Sequence, residues 1–169
     1  MTELAPSSAD AKWTKPENLH ITLKFLGEIA PAQVTDIQKT ISQVAERHAA
    51  ITADLESFGF LPACRPGRPD ERRPRVLYIA ASQEEKMRAL SDDLEKALEP
   101  LGFAQDHRFK AHITLARLRS LYNLEQLKNK TADLTVRGTF TLENLVLFKS
   151  TLTPQGPVYA ALHEAKLTL

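Results

Sequence analysis

The sequence lacks most features that would assign it at a glance. Cys64 is the single cysteine in 169 residues, so no intrachain disulfide can form, which fits a reducing compartment. No apolar run approaches the ~20 residues of a membrane-spanning helix. Residues 1–11 have neither the charged start nor the apolar centre of a secretory leader, so they are expected to be a polar, flexible lead-in to a soluble cytoplasmic protein. The formal net charge is only +1; bulk charge selects no partner, and any nucleic-acid surface must be local. Neither Gly-x-x-x-x-Gly-Lys nor Gly-x-Gly-x-x-Gly occurs, so no glycine loop cradles a phosphate. A serine nucleophile elbow is also missing. A zinc site would need three or four ligands; His107 could join His20 and His112, but no ligand spacing supports it. No metal and no cofactor are expected.

What is present is a repeated tetrapeptide. His20-Ile21-Thr22-Leu23 recurs as His112-Ile113-Thr114-Leu115, 92 positions later. At average residue usage, three specified residues follow a given histidine about once in 10⁴. Both stretches alternate and are rich in strand-forming residues. In a strand, side chains two apart share a face. Each copy therefore offers an imidazole and a hydroxyl on one face, and an apolar stripe on the other.

One domain, or two lobes sharing a core, is expected over residues 1–169. Asn18 to Leu26 reads as a strand stopped by Gly27. Pro31 suits a first helical turn, and Val34, Ile37, Ile41 and Val44 form a helical stripe. His48 extends that stripe as a boundary histidine near the helix C-terminus. Ile51 to Phe60 reads as a strand with Phe58 and Phe60 on one face. Pro62 to Arg75 holds four prolines and five arginines, with a local charge of +3. Its breakers make it a loop, either a solvated surface loop or an electrostatic landing strip for a nucleic-acid phosphate backbone, with Arg68, Arg72 and Arg73 as the candidate contacts. Val76 to Ala80 is a short strand. Ser82 and Glu85 form a capping box for a helix that buries Met87, Leu90, Leu94 and Leu98. Phe109 to Leu118 is the second motif strand. Asn123 and Gln126 are expected to cap a helix carrying Leu124 and Leu127. Strands are expected at Leu134 to Val136, at Phe140 to Leu152 with a bend near Asn144, and from Val158 to about Leu167. Strand–helix–strand order follows each tetrapeptide, which predicts an α+β protein of two related lobes.

Two imidazoles on one cleft suit proton transfer near neutral pH. One takes a proton while the other gives one. The threonine hydroxyls can donate to an anionic oxygen, as phosphoryl transfer requires. The set fits phosphodiester chemistry without a metal.

With these residues in place, the chain resembles the RNA 2′,3′-cyclic phosphodiesterases once named 2′,5′ RNA ligases, of the two-histidine phosphoesterase superfamily. Their His-x-Thr/Ser-x motif, with x apolar, is matched at His20/Thr22 and at His112/Thr114. Trp13 through Gly27, including Lys15-Pro16-Glu17-Asn18-Leu19, looks like the family's first motif region, and Phe109 through Arg117 like its second. Phe148, Ser150, Leu152, Gly156 and Tyr159 match its closing hairpin. The resemblance runs from about residue 12 to the C-terminus.

It implies two antiparallel sheets flanked by helices around a central cleft. It also implies hydrolysis of RNA 2′,3′-cyclic phosphate ends to 2′-phosphates, together with a 2′,5′ RNA ligase activity that is itself the reverse of 2′,5′-linkage cleavage. His112 would be the base and His20 the acid, although pseudo-symmetry allows the opposite order. Thr22 and Thr114 would hold the phosphate. Arg117 matches a phosphate-contacting arginine. Strict alternation turns it away from His112, so it reaches the site only if the strand ends or bulges near Ala116.

Two positions depart from the family pattern. The strand and helix that usually precede the Trp13 region are expected to be missing, which would leave the first lobe a strand short. Its open edge would be wet, covered by residues 1–12, or paired with a second chain. Ala111 stands where a proline usually precedes the second histidine. A competing reading is a noncatalytic RNA- or nucleotide-binding module that keeps the same cleft. Binding alone, however, needs no acid and base.

Overall fold

The computed structural model describes residues 10–62, 73–153 and 156–168. The chain forms two compact units, one holding residues 1–21, 54–82 and 111–139, the other 22–53, 83–110 and 140–169. The fold is α+β. No helix among the described residues is long and apolar enough to cross a membrane.

One antiparallel sheet carries most of the first unit. Its strands are β1 (Ala11–Trp13), β2 (Ile51–Leu61), β3 (Val76–Ala81), β4 (His112–Leu118) and β5 (Thr139–Leu142), in the order β1-β4-β3-β2-β5. One face carries the core of Leu77, Ile79, Leu115, Ala116 and Leu127, with Trp13, Phe58 and Phe60 packed against it. Leu127 comes from α3 (Leu124–Asp133). Leu134 and Val136 pack on the same core without forming the expected strand. Ala11 already lies in β1, so the polar lead-in ends one residue earlier than expected, because Ala11 and Trp13 are core contacts.

The second unit holds α1 (Val34–Ala45), α2 (Glu84–Leu98), β6 (Asn144–Thr153) and β7 (Gly156–Lys166). Ile37, Ile41 and Val44 are buried on α1, and Met87, Leu90, Leu94 and Leu98 on α2, as their spacing predicts. β6 and β7 form a long hairpin that begins one residue after β5 ends, at the bend foreseen near Asn144. Among the described residues the sheets have five strands and two, a wider difference than the single missing strand that was expected.

Both helix caps differ from expectation. Gln83 precedes α2 in a left-handed conformation with no side-chain cap. The Ser82 hydroxyl instead accepts the backbone N–H of Asp54 on β2 at 2.8 Å. Asn123 is also left-handed and makes no side-chain cap; asparagine tolerates that region better than most residues. His48 sits just beyond α1. Its Nε2 meets Asp93 at 3.0 Å, beside the Arg47 guanidinium, as a boundary histidine should. Burial pushes the Asp93 carboxyl up, but the hydrogen bonds from His48 and Arg47 outweigh it and hold the group below its ordinary value.

A buried ion pair lies in the second unit. Lys24 and Glu95 are 6% and 2% exposed at their side chains and bonded to each other. Lys24 also donates to the Ala104 carbonyl at 2.8 Å. The same Glu95 oxygen accepts the Asp106 N–H at 3.1 Å. One residue earlier, Ser91 of α2 donates to the Leu23 carbonyl. These contacts explain why the expected strand from Asn18 to Leu26 is reduced to a single bridge at Ile21: beyond Thr22, α2 side chains take the backbone and side-chain bonds that a neighbouring strand would otherwise supply. Replacing Glu95 by alanine strands the Lys24 ammonium in the interior and is expected to cost about 3–5 kcal/mol. Urea unfolding will measure it, and pairing the change with Lys24→Met should recover much of the loss.

Candidate active site

The first motif is delivered by a detour in the chain. After β1 pairs with residues 116–118 of β4, the Thr14 N–H bonds the Leu115 carbonyl at 2.8 Å. Pro16–Asn18 then forms one 3₁₀ turn, and the chain returns to β4 at the antiparallel bridge Ile21–Ile113. The second motif is β4 itself.

The bridge fixes which groups face each other. Directly opposed residues share a sheet face, and neighbours along a strand alternate. Ile21 and Ile113 point one way, so His20 and His112 point the other. Carried one residue further, the register of this single bridge would set His20 toward Thr114 and the two histidines on a diagonal of one face. The His20 Nδ1 lies 2.7 Å from the Asn18 carbonyl. A carbonyl only accepts, so Nδ1 carries the hydrogen and proton exchange falls to Nε2.

β4 also bulges. Tyr78 pairs with Thr114, but Leu77 pairs with Ala116, so Leu115 is an extra residue. Leu115 and Ala116 both go to the core, at 2% and 0% exposure. Past the bulge the alternation is reset. Val76, which shares a face with Tyr78, pairs with Arg117. Arg117 therefore stands on the His112 face, as the bulge near Ala116 was expected to allow.

The sequence reading missed Tyr78. It is 6% exposed, lies opposite Thr114, and meets the His112 ring edge-on, with centroids 5.5 Å apart and planes at 72°. Its room comes from Gly59, its partner on β2. A Cβ at Gly59 would stand 2.4 Å from the Tyr78 Cζ and Oη. Only the strand pairing, which one sequence does not print, brings these three residues together.

The remaining candidates divide. Thr22 follows the bridge and is half-buried. Arg73 is exposed, while Arg68 and Arg72 lie outside the described residues. Phe148 and Tyr159 pair edge-on across β6 and β7 at 5.8 Å. Phe109, leading to the second motif, is buried with Arg88 of α2 at 5.8 Å from its ring centre. Arg108 grips Asp106 and, chiefly through its side-chain hydrogen bonds, holds that carboxyl down at about 2. Among the described residues no three of His, Cys, Asp and Glu gather as a metal site.

Comparison with known proteins gives a consistent result. Residues 2–153 match the family model described as the 2′-5′ RNA ligase superfamily. A protein of Aeropyrum pernix named RNA 2′,3′-cyclic phosphodiesterase is 31% identical, over 96% of this chain and 90% of that one. One of the same name from Archaeoglobus fulgidus is 34% identical, over 88% and 79%. A crystal structure from Thermus thermophilus superposes with TM-score 0.74 at 28% identity, covering 98% of this chain and 86% of that one. The structure of E. coli LigT complexed with 3′-AMP gives TM-score 0.69 at 22% identity, over 99% and 87%, and shares the fold.

The Gly59–Tyr78 contact generates a test. Gly59→Ala should destabilise the fold by about 1–3 kcal/mol through overpacking. In a Tyr78→Ala background most of that penalty should vanish. A double-mutant cycle in urea measures the coupling; additive penalties would mean that the ring does not need the glycine.

Proposed function

The chain belongs to the 2′-5′ RNA ligase superfamily, and from that premise we propose that it hydrolyses the 2′,3′-cyclic phosphate ends of RNA to 2′-phosphates. The observation that carries this reading is the Ile21–Ile113 bridge, with its diagonal pair of imidazoles and the intervening Thr114 hydroxyl. Displacement at phosphorus has its incoming and departing oxygens roughly in line. Two imidazoles on a diagonal of one face can serve both.

In this reaction His112 takes a proton from water as the water oxygen bonds to phosphorus. The bond from phosphorus to the 3′ oxygen breaks, and His20 gives that oxygen a proton through Nε2. Thr22 and Thr114 donate to the nonbridging oxygens, and Arg117 offsets the charge that develops on them. Tyr78, packed against the His112 ring, restricts its tilt. Each proton step is assigned to a side chain, so the scheme calls for no metal ion. With a 5′-hydroxyl in place of water, the same displacement forms a 2′,5′ linkage, which is the ligation reaction. Both histidines come from one chain, so a monomer suffices, and a cytoplasmic setting matches the single cysteine.

Because one histidine must be neutral and the other charged, activity on a nucleoside 2′,3′-cyclic phosphate should be bell-shaped in pH. His20→Ala and His112→Ala should each lower the rate by about 10²–10⁴, and a chelator should leave wild-type turnover unchanged. Full activity in either single mutant would overturn the two-histidine mechanism. Binding without turnover in the wild type would make the protein a recognition module.

A further inference from the structure

We propose that Lys12, set against Arg117, forms a second anion subsite that takes the internucleotide phosphodiester one nucleotide before the cyclic end. The proposal rests on the hydrolase reading above.

The argument begins with β1. Only three residues long, β1 points Ala11 and Trp13 into the core. Lys12, between them, must project from the opposite face. Its cross-strand partner is Arg117, which the bulge in β4 has put on the face of His112, Thr114 and Tyr78. The Arg119 N–H bonds the Asp10 carbonyl and the Thr14 N–H bonds the Leu115 carbonyl, both at 2.8 Å. These bonds flank Lys12 and Arg117 by two residues on either side, so the pair is of the hydrogen-bonded kind, with Cα atoms about 5.5 Å apart.

Two cations directly opposite each other destabilise a sheet. Among the described residues neither is engaged by a carboxylate ion pair. The other neighbour of Arg117 is Val76, which is apolar. The nearest acid by register is Asp10, which sits opposite Arg119, a cation of its own. The sheet therefore carries two neighbouring positive charges on its reactive face, and a bound anion would relieve the repulsion.

Position selects the anion. From Tyr78, opposite Thr114, to Val76, opposite Arg117, is two residues of β3, or about 7 Å. Lys12 thus lies one step along the face from the hydroxyl proposed to hold the reacting phosphate, with Arg117 between them. Such a step is comparable to that between successive phosphates of a single strand. A mononucleotide has no second phosphate to place there, whereas any longer RNA end does.

The test compares a dinucleotide ending in a 2′,3′-cyclic phosphate with a nucleoside 2′,3′-cyclic phosphate, for wild type, Lys12→Met and Lys12→Arg. Lys12→Met should lose about 5- to 20-fold in kcat/KM on the dinucleotide, mainly through KM, with the slope of log kcat/KM against log salt reduced by about one. On the mononucleotide it should stay within about twofold of wild type, and Lys12→Arg should retain most of the dinucleotide rate. Its melting temperature should not fall, since the change removes a like-charge pair. Equal losses on both substrates, an unchanged salt slope, or no loss on the dinucleotide would overturn the subsite while leaving the hydrolase reading standing. A wild type that turns over neither substrate would overturn both.

Discussion

Leu115 is one residue more than β3 requires of its partner, and which side chains share the face of His112 depends on it. Without the bulge, a strand running from His112 to Leu118 would alternate strictly. Thr114 and Ala116 would then share a face, and Arg117 would point into the core beside Ile113. A guanidinium there would lose its hydration with no carboxylate to meet it. The extra residue lets two apolar side chains in succession fill the core and returns the arginine to the histidine side. One backbone irregularity thus settles both what fills the core and which face the arginine takes.

The sequence made the chemistry more legible than the architecture that delivers it. The repeated His-x-Thr-x motif, the buried stripes of α1 and α2, and the bend near Asn144 follow from local periodicity, which a single chain displays directly. What it hid was mostly long-range. The first motif looked like a full strand because its residues favour one, yet its backbone is claimed by α2 beyond Thr22. Ser82 looked like a cap, but its hydroxyl serves a β2 amide 28 residues away in sequence. Leu134 and Val136 have strand-like side chains and pack on the core with no ladder to join. Tyr78 and Gly59 were illegible for the same reason: a cross-strand pair is a fact of register. Arg117 lies between these cases. Its dependence on a bulge could be stated from spacing, but the bulge itself could not.

The reactive face also shows where stability is given up. Gly59 contributes no side chain to its sheet, so that a large ring can lie across it. Lys12 and Arg117 repel each other. His20 is exposed at a detour stabilised by one 3₁₀ turn. Each of these choices is unfavourable to a strand taken by itself. The buried apolar face beneath, with Leu77, Ala116 and Leu127 all fully enclosed, holds the sheet together in spite of them.

The Lys24–Glu95 pair has a consequence that reaches beyond the folded molecule, into how the sequence can change over generations. Glu95 serves the ammonium of Lys24 and the backbone of Asp106 at once, and Lys24 serves the Ala104 carbonyl as well. A lineage that loses either residue alone inherits a buried charge with no counterpart. A lineage that loses both inherits two bare backbone groups. Drift at these two positions should therefore be rare, and when it occurs it should be concerted, with a third change in the 104–106 segment. The two segments meet at one carboxylate 71 residues from its lysine, so this part of the chain is expected to vary as a unit or not at all.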